Sequence, residues 1–142
     1  MNDTILLESE NFMLSLAFQV FESDISYPSN TILSVSVSSA GFSASTTMDI
    51  DIKDVPKFCN ELQNIYGSLK GDAKIQEPFG SKQYIAFSGD GKGHILVSGT
   101  LHSNGANGLW QELKFENCID QTFMPQFLKK LTALANNYAK FH

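Results

Sequence analysis

At 142 residues, 42% of them hydrophobic and 18% charged, the chain has the size and apolar content of one packed domain and too little charge for a disordered one. Its formal net charge is −5 and its ten basic residues are all Lys; without Arg, the planar fork that reads phosphates and base edges, nucleic-acid binding is not expected. The two cysteines, Cys59 and Cys118, are too few for a disulfide framework or a zinc site, and no apolar run approaches the ~20 residues of a membrane helix.

Met1-Asn2-Asp3-Thr4 lacks the basic start of a secretory signal, and Ile5-Leu6-Leu7 is too short for its apolar segment. The expectation is a cytoplasmic protein with a single domain over residues 1–142. Ile5–Leu7 reads as a short edge strand. From Phe12 to Phe21, period-two spacing puts Phe12, Leu14, Leu16, Phe18 and Val20 on one face of a long strand. Tyr27-Pro28-Ser29-Asn30 is a turn. Leu33, Val35 and Val37 then alternate with Ser34, Ser36 and Ser38, and Ala40-Gly41 reverses the chain. Phe42, Ala44, Met48, Ile50 and Ile52 form the inner face of the next strand, opposite Ser43, Ser45, Thr47, Asp49 and Asp51.

A first helix is expected to start at a capping Asp54, with Pro56 in its first turn and a stop at Gly71. Phe58, Leu62, Ile65, Tyr66 and Leu69 make its apolar stripe. Short strands follow at Ala73–Glu77 and Tyr84–Ser88. Gly89-Asp90-Gly91-Lys92-Gly93 closes a hairpin into His94–His102, with Ile95, Val97 and Leu101 inward. Asn104–Gly108 turns into Leu109–Glu116, where Leu113 and Phe115 point in. Thr122 is placed to cap a last helix that carries Phe127, Leu128, Leu131, Leu134 and Tyr138 and ends near Ala139.

The chain nearly repeats itself. Val55-Pro56-Lys57-Phe58 with Leu62 returns as Met124-Pro125-Gln126-Phe127 with Leu131. Tight turns imply antiparallel pairing. The reading is an α+β fold: a twisted antiparallel sheet of about six to eight strands with two helices on its apolar face, built from two strand–strand–helix units.

No residue pattern carries chemistry. His94 and His102 share one face of a strand but stand eight residues apart, about 26 Å at ~3.3 Å per residue, too far to ligate one metal. His142 is terminal. The glycine-rich turn leads into a strand, where a phosphate site would use a helix N-terminus. Cys59 and Cys118 read as packing residues, because nothing places a histidine beside either. No catalytic residue, metal site or cofactor is expected. The charge distribution says more. Residues 1–54 hold eight acids against Lys53 alone, a net of −7, whereas residues 55–142 hold nine Lys and seven acids, a net of +2. Glu22, Asp24, Asp49 and Asp51 therefore stand as contacts for a basic partner. Trp110, on the outward parity of its strand, is a candidate aromatic anchor. The serine ladder is a soluble sheet face, a flat docking surface or, if it lies at an open edge, a strand-addition site.

The succession Leu33-x-Val35-x-Val37, Gly41-Phe42-Ser43 and Phe58-x3-Leu62-x2-Ile65-Tyr66-x2-Leu69-x-Gly71-x-Ala73 resembles the WapI-type immunity proteins of bacterial contact-dependent toxin systems. So do Gly93-His94-Ile95-x-Val97-x-Gly99-x-Leu101, Leu113-x-Phe115, Asp120-Gln121-Thr122 and Phe127-x3-Leu131. The resemblance runs from about Leu33 onward. It implies a non-enzymatic protein that binds and neutralises a cognate toxin, often a basic nuclease, and it carries over no binding residue. No nucleic-acid or membrane partner is expected, and the protein would be a monomer or a homodimer. The alternative is a small-molecule-binding or enzymatic α+β domain, with some of the 11 Phe lining a cavity between sheet and helices.

Overall fold

The computed structural model describes residues 4–80, 83–105 and 107–138. Strands β1 (Thr4–Ser9), β2 (Phe12–Val20), β3 (Thr31–Ser39) and β4 (Phe42–Ile50) lead into helix α1 (Val55–Ser68). Strands β5 (Lys70–Gln76), β6 (Tyr84–Asp90), β7 (His94–Asn104) and β8 (Trp110–Asp120) lead into helix α2 (Pro125–Tyr138). All neighbours pair antiparallel, in the orders β1-β2-β3-β4 and β5-β6-β7-β8. The α+β fold of eight strands and two helices is the one expected. The strands divide between two sheets, and each repeat unit is four strands and a helix.

The repeat explains how the halves interlock. α1 follows the first sheet but packs against β5 of the second, and α2 follows the second sheet but packs back on β1 of the first. Each helix thus covers the opening strand of the other half, and neither half buries its core alone. The repeated phenylalanines meet at one place. Phe58 and Phe127 both lie 5.9 Å from the ring of Phe87, and all three are fully buried. The sheets meet separately through Phe12 of β2 and Phe115 of β8, whose rings stack at 6.0 Å. Phe115 lies over Gly99; a Cβ there would come within 2.8 Å of its ring and 2.6 Å of the Tyr84 carbonyl oxygen, so only glycine fits.

Several expected details differ. Asp54 makes no side-chain cap; Asp51 accepts from the Lys53 N–H at 3.0 Å and nucleates a short 3-10 turn at Ile52–Asp54 ahead of α1. The second joint repeats the device: Asp120 accepts from the Thr122 N–H at 2.9 Å, which places Thr122 inside the turn Gln121–Phe123 ahead of α2. α1 stops at Leu69 (φ 65°) rather than at Gly71, because Leu69 takes the left-handed cap while its N–H bonds the Ile65 carbonyl at 2.7 Å. Gly71 belongs to β5. Tyr66 is exposed, since the helix turns that face toward solvent. Phe42 has the inward parity of β4 yet is 68% exposed, because it lines an open groove rather than a closed core. Cys118 lies within β8 on its outer face and is exposed, so only Cys59 is a packing cysteine. The expected helix end at Ala139, His142, the residues Met1 to Asp3 and part of the Asn104–Gly108 turn lie outside the described residues.

Candidate partner-binding surface

The ten residues between β2 and β3 expose Phe21, Glu22, Asp24 and Tyr27, and Asn30 fixes the loop that bears them. Buried Asn30 donates through Nδ2 to the Tyr27 carbonyl at 2.9 Å, to the Ile25 carbonyl at 3.3 Å and to Asp51 Oδ1 at 2.9 Å. Its Oδ1 accepts from the Ile52 N–H at 2.9 Å and the Thr31 hydroxyl at 2.8 Å. Lys53, the one cation of residues 1–54, reaches the same loop: its ammonium donates to the Ile25 carbonyl and lies 3.6 Å from Asp51. One buried amide therefore ties the loop to the joint between β4 and α1 and leaves Glu22, Asp24 and Tyr27 pointing into water.

The second wall comes from the other half. Glu77, just after β5, accepts from the Asp49 N–H at 3.0 Å through one carboxylate oxygen and from the Gln83 N–H at 3.0 Å through the other. Gln83, itself buried, donates to the Thr47 carbonyl at 2.9 Å and accepts from the His102 N–H at 3.0 Å. These two side chains join β4 to the second sheet. They position a depression of about 290 Å³ lined by Ser29, Asp49, Glu77, Phe79 and Gly80. A neighbouring hollow of about 340 Å³ shares Glu77 and adds Asp54, Lys57, Glu61 and Lys74. Partial burial, and then the Asp51 charge, raise the pKa of Asp54 above the ordinary carboxylate value. Phe79, in the lining of the first depression, is 64% exposed, and Tyr27, two residues before the lining residue Ser29, is 61% exposed.

Glu22, Asp24 and Asp49 are exposed; Asp49 lines the depression, and Glu22 and Asp24 lie on the loop that supplies Ser29 to it. Asp51 does not face outward: its side chain is 14% exposed and is used by Asn30, Lys53 and the 3-10 turn. Trp110 is exposed as expected, but it stacks on His102, ring centroids 4.3 Å apart, beside a different groove that runs along β4, β7 and β8. Tyr27, Glu77 and Phe79 were not singled out from the sequence. Their signal was an aromatic inside a Pro-containing turn, Tyr27-Pro28 and Pro78-Phe79-Gly80, where no strand parity can carry the ring into the core.

Among the described residues no group of three or more His, Cys, Asp or Glu is arranged to hold a metal. His94 meets Asp90 at 3.2 Å, remote in register from His102. The Gly89–Gly93 segment is the hairpin turn expected: Asp90 accepts from the Lys92 and His94 N–H groups, which holds its pKa below the ordinary value. No helix of the described residues is long and apolar enough to cross a membrane.

The profile of the Immunity protein WapI-like family matches residues 6–139. No curated protein matches the chain. Among solved structures, the chain is similar to the one titled "Crystal Structure of WHY1 from Arabidopsis thaliana", at 8% identity and a TM-score of 0.51, over 99% of this chain and 90% of that one. At that identity the likeness concerns the fold. The family match spans nearly the whole chain, so the protein belongs to the WapI-like immunity protein family.

Proposed function

We propose that this family member neutralises its cognate toxin by binding it, without catalysis, at the corner formed by the β2–β3 loop, the end of β4 and the β5–β6 connection. One observation carries the reading: exposed Phe79 lines a depression with Ser29, Asp49 and Glu77, and the loop that supplies Ser29 also exposes Glu22, Asp24 and Tyr27. Aromatic anchors surrounded by charge are the arrangement in which a few residues hold most of an interface's energy. The acids steer a basic partner and raise its association rate. A basic, nuclease-type toxin domain acting in the cytoplasm fits that field. Asp51 serves the scaffold and Trp110 stacks on His102 beside another groove, so the proposed corner is built without them. The aromatic-cavity alternative finds no support in the core, where Phe58, Phe87 and Phe127 pack on one another.

The test is co-expression with the product of the adjacent toxin gene, scored by survival and co-purification. Glu22→Lys with Asp49→Lys is expected to slow association at low salt by about tenfold or more and to flatten its salt dependence. Tyr27→Ala and Phe79→Ala are expected to act on dissociation, each by about 2 kcal/mol. An unchanged association rate in the charge-reversed protein would place the toxin on a different surface. Failure to co-purify or protect would remove the immunity reading itself.

A further inference from the structure

Each sheet has two edges, and three of the four edge strands are guarded. β1 carries Glu8 and lies under α2; β5 carries Lys70, Asp72 and Lys74 and lies under α1; β8 carries Glu112, Lys114, Glu116 and Asp120. Charges and covering helices are how a folded protein keeps its open strands from pairing. β4 differs, with no charged residue from Phe42 to Met48.

Its backbone polarity can be worked out. The Thr47 carbonyl and the Asp49 N–H are met by the side chains of Gln83 and Glu77, so the odd-numbered residues of β4 aim their backbone groups off the sheet. The two-residue turn at Ala40-Gly41, with φ of 50° and 89°, closes on the pair Ser39 and Phe42, which sets the same alternation. Ser43 and Ser45 therefore point their N–H and carbonyl groups outward at the one stretch of β4 that Gln83 and Glu77 do not reach. Beside it runs a groove of about 410 Å³ whose apolar lining is Phe42, Ala44, Leu101 and Leu113.

We propose that this edge pairs with the same edge of a second copy of the chain, antiparallel about a two-fold axis at Ala44. Self-complementarity names the occupant. Ser43 of each copy then exchanges backbone hydrogen bonds with Ser45 of the other, with no like charges facing each other. The same register sets Phe42 opposite Thr46 of the second copy, next to that copy's Leu101 and its groove, which gives cover to a side chain now 68% exposed. An edge of five residues makes a weak dimer, populated as concentration rises. The proposal does not depend on the toxin reading.

The experiment needs this protein alone. Sedimentation equilibrium from about 10 μM to about 1 mM is expected to show the mass rising from one copy toward two. Ser45→Pro deletes an outward N–H without touching the β3 ladder, and it is expected to weaken association about tenfold or more. Ser43→Lys places a charge on the edge and acts in the same direction. Ser34→Lys puts that charge on the same sheet face but on β3, away from the edge, and is expected to leave the mass unchanged. Far-UV circular dichroism checks each variant's fold; should Ser45→Pro misfold, Ser43→Lys decides. A wild-type mass of one copy throughout the range overturns the proposal. So does a dimer indifferent to the edge variants, or one weakened equally by Ser34→Lys, which would be a face-to-face dimer.

Discussion

The two halves of the molecule share a skeleton and differ in their loops. At the 69-residue offset that separates Pro56 from Pro125, Asp51 answers Asp120, Val55 answers Met124, Phe58 answers Phe127 and Leu62 answers Leu131. Each pair holds the same place: the Asp opens a 3-10 turn, and the apolar residues are buried between helix and sheet. Even the contact across the repeat is internal to it, since Gln63 of α1 bonds its own counterpart, Thr132 of α2, at 2.8 Å. The connections do not match. Between the middle strands the first half has a ten-residue loop bearing Glu22, Asp24 and Tyr27, whereas the second half has the tight Gly91–Gly93 turn. Between the first two strands it is the second half that is longer, and there stand Glu77 and Phe79. The proposed binding corner is assembled from these two unmatched connections. Core positions are constrained by packing on both sides of the repeat, while loops are free to diverge and take on recognition.

If the halves are equivalent at the core, truncating either repeated phenylalanine should cost the same. Phe58→Ala and Phe127→Ala are each expected to lose about 3–5 kcal/mol in denaturant unfolding, because each leaves a cavity against Phe87. A gap of several kcal/mol between them would show that one half dominates the core. Asn30 sharpens the contrast: it precedes Thr31, the partner of Ile50, whereas the equivalent place in the second half, before Ile95 and its partner Ile119, is held by the exposed His94. Asn30→Ala should cost about 2 kcal/mol by stranding the buried Ile52 N–H, and should speed hydrogen exchange in residues 21–30 while sparing the second half.

The two capping aspartates come next. Asp120→Ala should cost about 1 kcal/mol, the worth of a cap, and Asp51→Ala should cost more because Asn30 and Lys53 also use its carboxylate. The smallest effect is one of pH. Asp54 has a raised folded-state pKa, so its contribution favours the native state below the unfolded value of 3.8 and is lost as pH rises through the folded value. Asp90 and Asp120 have lowered values and act oppositely: their contributions are present above 3.8 and are lost as pH falls through their folded values. Asp54→Asn should therefore slightly stabilise the protein at neutral pH and remove one opposing slope from unfolding measured over about pH 3 to 6.

What the sequence determined by itself was local and periodic. Alternation along Phe12–Val20 and Leu33–Val37, the spacing from Phe58 to Ile65 and the Ala40-Gly41 turn each have a period or a backbone requirement that one strand, helix or turn satisfies, and the repeat announced two equivalent units. The immunity family was legible in the same apolar positions. Tertiary structure decided whatever depends on a neighbour distant in the chain. The parity that places Phe42 inward says nothing of how closely a second layer packs on it, and here it borders an open groove and stays exposed. The acidity that made Asp51 a candidate contact cannot reveal that Asn30 and Lys53 fold over it. Ser29 and Phe79, 50 residues apart in the chain, line one depression where Glu77 and Gln83 stitch the edge of the first sheet to the second. Side-chain pattern is a property of one segment, whereas burial and encounter are properties of pairs, and pairs exist only once the sheets have met.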